Sequence, residues 1–358
     1  MLPFDRLYYN SAAIFAGPSP ATGVNTPLNQ INRPKSFNYN VDVKRTDVNI
    51  LGKLGRLSAE IIDAPTVGVN FECDDVNANN ESYFGFIVDG SVSFASGLIN
   101  GTTDDRNLFV LWAPNGEDAV GNVSASNTFA AQGFGNCFIN SYSCKGAVGA
   151  IPTNSFAFEC LNYAAYLDIT GQASPAINPQ NGVPIAGELW SIGSVVTGNG
   201  ASALRPGDIT VSITSDGITG IGTVISQSRI QSYDITTSLA REDLKELGTR
   251  FSVGKKIKFP AEITCAIAME PSVFQTGSLS TMLCQDSNYT IVITLGKPVC
   301  PGASPVTAKI YTLQGMKYGS ENGGIQIGSN STLQLNFNTQ VTDFQDINFG
   351  MRISGLLE

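Results

Sequence analysis

The chain of 358 residues contains no histidine. That absence removes a Ser-His-Asp triad, a Cys-His pair and any zinc site with an imidazole ligand. It also removes the side chain whose ordinary pKa lies nearest neutrality, so a simple pH switch is not expected. Charge is scarce as well. Only 14% of residues are charged, against roughly 25% in an average globular domain. Lys and Arg number 21 and Asp and Glu 30, a net charge of −9, so the basic footprint of a sequence-reading nucleic-acid protein is missing. Nucleic acid kept at a distance by repulsion stays compatible. No run approaches the ~18 apolar residues of a membrane span, so no membrane partner is expected. The opening MLPFDRLYYN has neither a basic n-region nor an apolar h-region, the expectation being a chain that starts in a cytoplasm. Seven cysteines include no CxxC pair, the nearest two being Cys137 and Cys144. They read as small buried hydrophobes, with disulfides formed later in an oxidising exterior left open.

What the chain does have is alternation. Val67, Val69, Phe71 and Cys73 share one face of a strand, as do Ile263, Cys265, Ile267 and Met269. Further alternating runs are Phe156/Phe158/Cys160, Ile209/Val211/Ile213, Ile291/Ile293/Leu295 and Leu333/Leu335/Phe337. Each is bounded by Gly, Pro, Asn or Asp. One buried and one exposed face is the pattern of an antiparallel sandwich or barrel. The clear helical signal is Ala240–Gly248, with Leu244 and Leu247 on one face, acids in the first turn and a terminal glycine. At two turns it must dock on a sheet to persist.

An internal repeat organises the strands. At a spacing of 196 residues, Arg33 meets Arg229, Phe37 meets Tyr233, Arg45 meets Arg241, Asp47 meets Asp243 and Gly52 meets Gly248. The next strand stays in register, Val67 meeting Ile263 and Phe71 meeting Ile267. Later strands match at smaller spacings: Leu108–Leu111 with Ile291–Leu295, Cys137–Ser143 with Lys309–Gly315, and Phe156–Cys160 with Leu333–Phe337. The first copy therefore carries an enlargement of roughly twenty residues, placed within about 75–135. Residues 165–205 are rich in Gly, Pro, Asn and Ser and read as a connector with a partly ordered arm. The expected fold is all-β with one or two short helices: a first β domain at 1–165, a connector or arm at 166–205 and a second β domain at 206–358.

Charge follows the repeat. Residues 33–56 hold six basic and two acidic side chains, +4, and residues 241–258 six and three, +3, which leaves −16 elsewhere. One reading is solvated loop charge. The sharper one is a basic surface on each copy that meets an acidic surface of another chain stacked against it, setting register and orientation. Asp74/Asp75 and Asp104/Asp105 are the conspicuous acid pairs. Neighbours in a strand point to opposite faces, so turn or lumen charges are favoured over a glycosidase or metal site. The Gly-rich run 198–207 lacks the Lys-Ser/Thr of a phosphate loop. Tyr8, Tyr9, Trp112 and Trp190 read as buried or interface aromatics rather than sugar platforms. No catalytic, cofactor-binding or metal-ligating residue is assigned, no cofactor is expected, and the chain reads as a non-enzyme.

Several segments resemble phage major tail tube proteins. RLYYNSAAIFAGP at 6–18 is similar to their first strand, and CFINSYSCKGAVGAIPTNSFAFECLN at 137–162 to their late hairpin. KRTDVNILGKLG at 44–55 and AREDLKELGTR at 240–250 are similar to the short segment between their early strands. The resemblance spans most of the chain in two copies, and rests on packing and turn patterns. It implies small β-sandwich or barrel domains with a flanking helix. It further implies rings that stack into a hollow tube, three-membered and pseudo-sixfold where two tube domains are fused. The expected function is a self-assembling structural subunit of a virion tail, built in the host cytoplasm. Its implied partners are other copies of itself, a tape-measure protein and then double-stranded DNA in the lumen, and tail-terminator, baseplate and possible sheath proteins. A β-sandwich adhesin or capsid decoration protein is the alternative.

Overall fold

A computed structural model of the chain describes residues 12–18, 26–61, 63–100, 104–114, 118–119, 130–166, 175–185, 190–191, 203–215, 229–271, 287–297, 306–325, 330–341 and 349–357. In chain order a first set of elements is β1 (Ala12–Pro18), β2 (Thr26–Pro27), β3 (Asn29–Gln30), β4 (Pro34–Asp42), β5 (Arg45–Val48), β6 (Ser58–Ile61), β7 (Thr66–Asp74), α1 (Asn79–Tyr83), α2 (Ser96–Asn100), β8 (Asp105–Trp112), β9 (Ala130–Ala147) and β10 (Thr153–Tyr166). After β11 (Trp190–Ser191) comes a second set: β12 (Ile209–Ser215), β13 (Arg229–Ser238), β14 (Arg241–Leu244), β15 (Gly254–Ile257), β16 (Glu262–Glu270), β17 (Tyr289–Lys297), β18 (Val306–Gly324), β19 (Thr332–Gln340) and β20 (Gly350–Gly355). The fold is all-β, as the alternation requires. Among the described residues no helix is long and apolar enough to cross a membrane.

The pairing pattern occurs twice. In the first set β1 pairs β8, β8 pairs β9, β9 pairs β10, β10 pairs β7, β7 pairs β4 and β5 pairs β6, all antiparallel. In the second set the same roles fall to β12, β17, β18, β19, β16 and β13, with β14 pairing β15. Irregularities recur at matching places. The ladder shifts between Pro34 and Ser36, and again between Ile230 and Ser232. It shifts at Ala157/Phe158 and at Tyr318/Ser320. Asn136 and Gly315, both with positive φ, occupy corresponding kinks of β9 and β18.

These ladders set the correspondence between the sets. Phe71 stands opposite Phe37 and Ile267 opposite Tyr233, which keeps the spacing of 196 through β4–β7. Phe156 stands opposite Phe71, and Leu335 opposite Ile267, so the spacing there is 179. The two spacings differ by 17, close to the expected enlargement of the first copy. The late-strand matches need correction: Phe156 corresponds to Leu335, not Leu333, and Cys137 to Met316, not Lys309. The Phe156 match slips by two residues, which preserves both faces of an alternating strand, so the apolar pattern alone does not detect it; the Cys137 match slips by seven, from Lys309 to Met316.

One face of the long sheet is apolar. Val67, Val69, Phe71, Tyr142, Phe156, Ile235, Ile267 and Leu335 belong to one continuous core spanning both sets. Each such burial stabilises by about 1.5–3 kcal/mol before opposing entropy. The other face carries Asn70, Ser155, Ser143, Thr236, Thr264, Ala266 and Asn336. That face is polar, its neutral side chains interspersed with Glu72, Lys145, Glu159, Asp234 and Glu262.

Three expectations change. The helix at 240–248 is instead strand β14 and a turn, paired with β15 through Arg241↔Ile257. Two turns of helix are marginal alone, and the hairpin gives Arg241 fixed partners. Gly248, at φ 93, serves the hairpin turn. The helices that do form lie in the enlargement of the first set. Finally, Cys137 and Cys160 stand directly opposite on β9 and β10 and are joined as a disulfide, while Cys73, Cys144 and Cys265 are buried thiols.

Candidate assembly interface

The two sets meet strand to strand. β13 pairs β9 antiparallel, from Ser232↔Ala147 through Ile235↔Cys144 to Ser238↔Ser141. Backbone bonds extend the seam at both ends, Leu239 N–H donating to the Asn140 carbonyl at 2.8 Å and Val148 N–H to the Gln231 carbonyl at 2.9 Å. Beneath it Tyr233, Ile235 and Leu239 pack into the common core. Gly146 is required there, because a Cβ at that position would lie 2.6 Å from the Tyr233 ring.

Charge locks the same seam. The Arg241 guanidinium donates to the Ile139 carbonyl at 2.8 Å and the Lys255 carbonyl at 3.0 Å, pairs with Asp104, and lies over the Phe138 ring. Lys255 reaches Glu159 at 2.6 Å and Asp243 at 2.7 Å. Lys245 hydrogen-bonds Asp63 at 3.0 Å, which lowers the carboxyl pKa and raises that of the amine. Thus the basic stretch of the second copy meets acids of the first within one chain, a contact other than the one between chains that the sharper charge reading expects. The equivalent stretch of the first copy behaves differently. Arg45, the counterpart of Arg241, is exposed, and Lys255 has Ala59 as its counterpart.

Two edges equivalent to the seam are bare among the described residues. β4 corresponds to β13 and ends the sheet order, its outer edge unpaired. Residues Ser320–Gly324 of β18 correspond to the stretch of β9 that receives β13. They bond β19 on one side only. Apolar side chains stand exposed on both edges: Tyr39 (43%), Val41 (48%) and, just past β18, Ile325 (81%). The β5–β6 and β14–β15 hairpins hold out Leu51, Leu54 and Leu247 fully to solvent.

The acid pairs serve the interior rather than a lumen. Asp74 pairs Lys35 at 2.7 Å and Arg33 at 3.4 Å, and Asp105 accepts from Asn136 at 3.0 Å. All four acids are buried. Among the described residues no group of three or more Cys, Asp or Glu side chains is placed to hold a metal ion. Trp112 is partly buried against the core. Tyr8, Tyr9, Cys284, Cys300 and residues 198–202 lie outside the described residues.

Sequence reading missed a buried polar cluster between the sets. Lys309 Nζ donates to Asp75 Oδ1 at 2.6 Å and Glu81 Oε1 at 2.7 Å. Tyr311 donates to Asp75 Oδ2 at 3.0 Å, Tyr142 to Glu81 Oε1 at 3.0 Å, and Asn154 Nδ2 to Glu81 Oε1 at 2.7 Å. Burial pushes the Glu81 carboxyl and both tyrosine hydroxyls above their usual pKa values. The available signal was Lys309 standing in an alternation, with Tyr311 and Leu313, where an apolar residue belongs.

No protein-family model and no curated protein matches the chain. Among solved structures it is similar to a chain of the anti-feeding prophage (AFP) baseplate, a six-fold symmetrised cryo-electron-microscopy structure. The identity is 15% and the TM-score 0.25, over 41% of this chain and 92% of that one.

Proposed function

We propose that the chain is a structural, non-enzymatic subunit of a phage tail tube. Two tandem tube domains, at 1–165 and 206–358 with the connector 166–205 between them, would assemble into three-chain, pseudo-sixfold rings that stack. The observation that carries this reading is the β13–β9 seam. One chain already joins two equivalent units edge to edge, and leaves the same two edges, β4 and the end of β18, open at its extremities. Applying the repeat spacings to the seam pairs Tyr39 with Gly323, Asn40 with Asn322 and Val41 with Glu321 of the next chain. Such head-to-tail contacts continue until a ring closes, and they cover sheet edges that would otherwise invite aggregation.

In a ring of this kind the polar face, with more acidic than basic side chains, would line the lumen. DNA carries about one negative charge per ~1.7 Å of axis, and a wall of Asn, Ser and Thr offers few cations to hold it. The hairpins, with exposed leucines beside Arg45, Lys53 and Arg56, would reach the next ring. Tape-measure protein and DNA within the lumen, terminator and baseplate at the ends, and a possible sheath outside are the partners this role entails, in a virion tail assembled in the host cytoplasm. Negative-stain imaging of the purified chain tests it. Rings or tubes with threefold symmetry are expected; compact monomers at high concentration, from low to near-molar salt, would sink the proposal.

A further inference from the structure

We propose that Lys309 and Asp75 become joined by an intramolecular isopeptide bond, with Glu81 as the proton shuttle. The three side chains form a dry triad. Lys309, Asp75 and Glu81 have essentially no exposed side-chain surface. Lys309 Nζ touches both carboxylates, at 2.6 Å and 2.7 Å. Around them Tyr142 packs on Phe86 and Phe156, with ring centroids 5.2 and 5.3 Å away. In bulk water an amine and a carboxylic acid persist as hydrated ions. In an apolar interior the ions are costly, whereas an amide is neutral and keeps its hydrogen bonds. Burial therefore tilts the balance toward condensation, and the fold holds the reacting groups in contact.

The two carboxyls are not equivalent. Asp75 is fixed by its own N–H donating to the Pro152 carbonyl at 2.8 Å. Its Oδ2 accepts from Tyr311 at 3.0 Å, which supports negative charge on that oxygen. Oδ1, nearest the amine, is the leaving oxygen. Glu81 Oε1 is occupied by Lys309, Tyr142 and Asn154, but Oε2 is buried with no hydrogen-bond partner. That oxygen is free to carry a transferred proton.

The step balances without any added reagent. The ammonium first passes one proton to Asp75, leaving a neutral amine and a carboxylic acid. The Nζ lone pair adds to Cγ of Asp75, forming the C–N bond and an oxyanion held by Tyr311. Glu81 takes a second proton from the nitrogen and delivers it to the departing Oδ1 hydroxyl. The C–O bond breaks, one water leaves, the amide remains and Glu81 regains its starting state. The product ties the end of β7 in the first set to β18 in the second, across 234 residues of chain.

The test is the mass of the full-length chain, fully reduced and denatured after folding. The expected mass is that of the sequence less one water, and proteolysis should release a branched peptide joining Asp75 to Lys309. Glu81→Gln, which preserves shape but not proton transfer, should fold and give the full sequence mass, as should Lys309→Met. A folded wild-type chain with the full mass would overturn the proposal whether or not the variants fold. Loss of ammonia with a link to Asn154, or a link to Glu81, would overturn the assignment of Asp75. Water loss persisting in Glu81→Gln would overturn the shuttle.

Discussion

The seam inside the chain and the open edges at its ends are built from corresponding strands, yet they are finished differently. At the seam Tyr233 and Ile235 of β13 are buried, and Arg241 and Lys255 of the adjoining hairpin are buried against acidic partners. At β4 the corresponding Tyr39 and Val41 are about half exposed, and Arg45 points outward. The partner side differs in step. Glu159 of the seam corresponds to Asn338, just as Lys255 corresponds to Ala59. A covalently connected joint can be locked by desolvated charge at no risk of mispairing, whereas a joint between chains must form and correct its register. An edge without buried ion pairs and with modest apolar cover suits that second task.

This contrast is open to direct attack, starting with charge. Arg241→Ala strands Asp104 in the interior and should cost about 3–5 kcal/mol of folding stability. Arg45→Ala should stay within about 0.5 kcal/mol of the parent. Chemical denaturation of the two variants under conditions that keep the chain monomeric measures both. A large loss from Arg45→Ala would erase the distinction between seam and edge.

Next in size is apolar truncation. Ile235→Ala should destabilise the chain by about 2–5 kcal/mol through the cavity it leaves. Its counterpart Tyr39→Ala should cost about 1 kcal/mol, the usual scale for a partly exposed site, while abolishing assembly. Parallel thermal melts and sedimentation separate the two effects. Normal rings from Tyr39→Ala would show that β4 is not the joining edge.

A third test is one of pH. Burial pushes the Cys265 thiol up to about 12, whereas its counterpart in the first set, Val69, does not titrate. A raised pKa means that the neutral thiol favours the fold. That contribution is complete below the ordinary thiol value near 9.0 and is lost as the pH rises through about 12. Stability should therefore fall across this interval, and Cys265→Val should flatten the fall. An unchanged slope in the variant would assign the alkaline loss to other buried groups.

Part of this structure was legible in the sequence because it is periodic and marked. Alternation identified strands, and rare residues such as Arg33/Arg229 and Gly52/Gly248 pinned the early half of the repeat. The late half offered only alternation, so Phe156 was matched two residues away from its true counterpart. The 240–248 segment has a helix's composition, but its conformation is decided by Asp104 and the Ile139 carbonyl, more than 100 residues distant in the chain. The Lys309 cluster was invisible for the same reason, since its acids come from positions 234 and 228 residues away. What the odd placement of Lys309 in an apolar run does announce is a buried partner.

The central claim is that β4 of one chain completes β18 of the next in the register of the internal seam. Thr236 and Ser143 face each other there as a non-hydrogen-bonded pair, the kind with the closest side chains. Their counterparts are Asn40 and Asn322. A chain carrying Asn40→Cys and Asn322→Cys, assembled and then mildly oxidised, should run on non-reducing gels as a covalent ladder ending at the trimer, while either single variant should give none. Efficient oxidation of the assembled double variant without any linked chains, or a ladder extending well beyond three, would contradict the account.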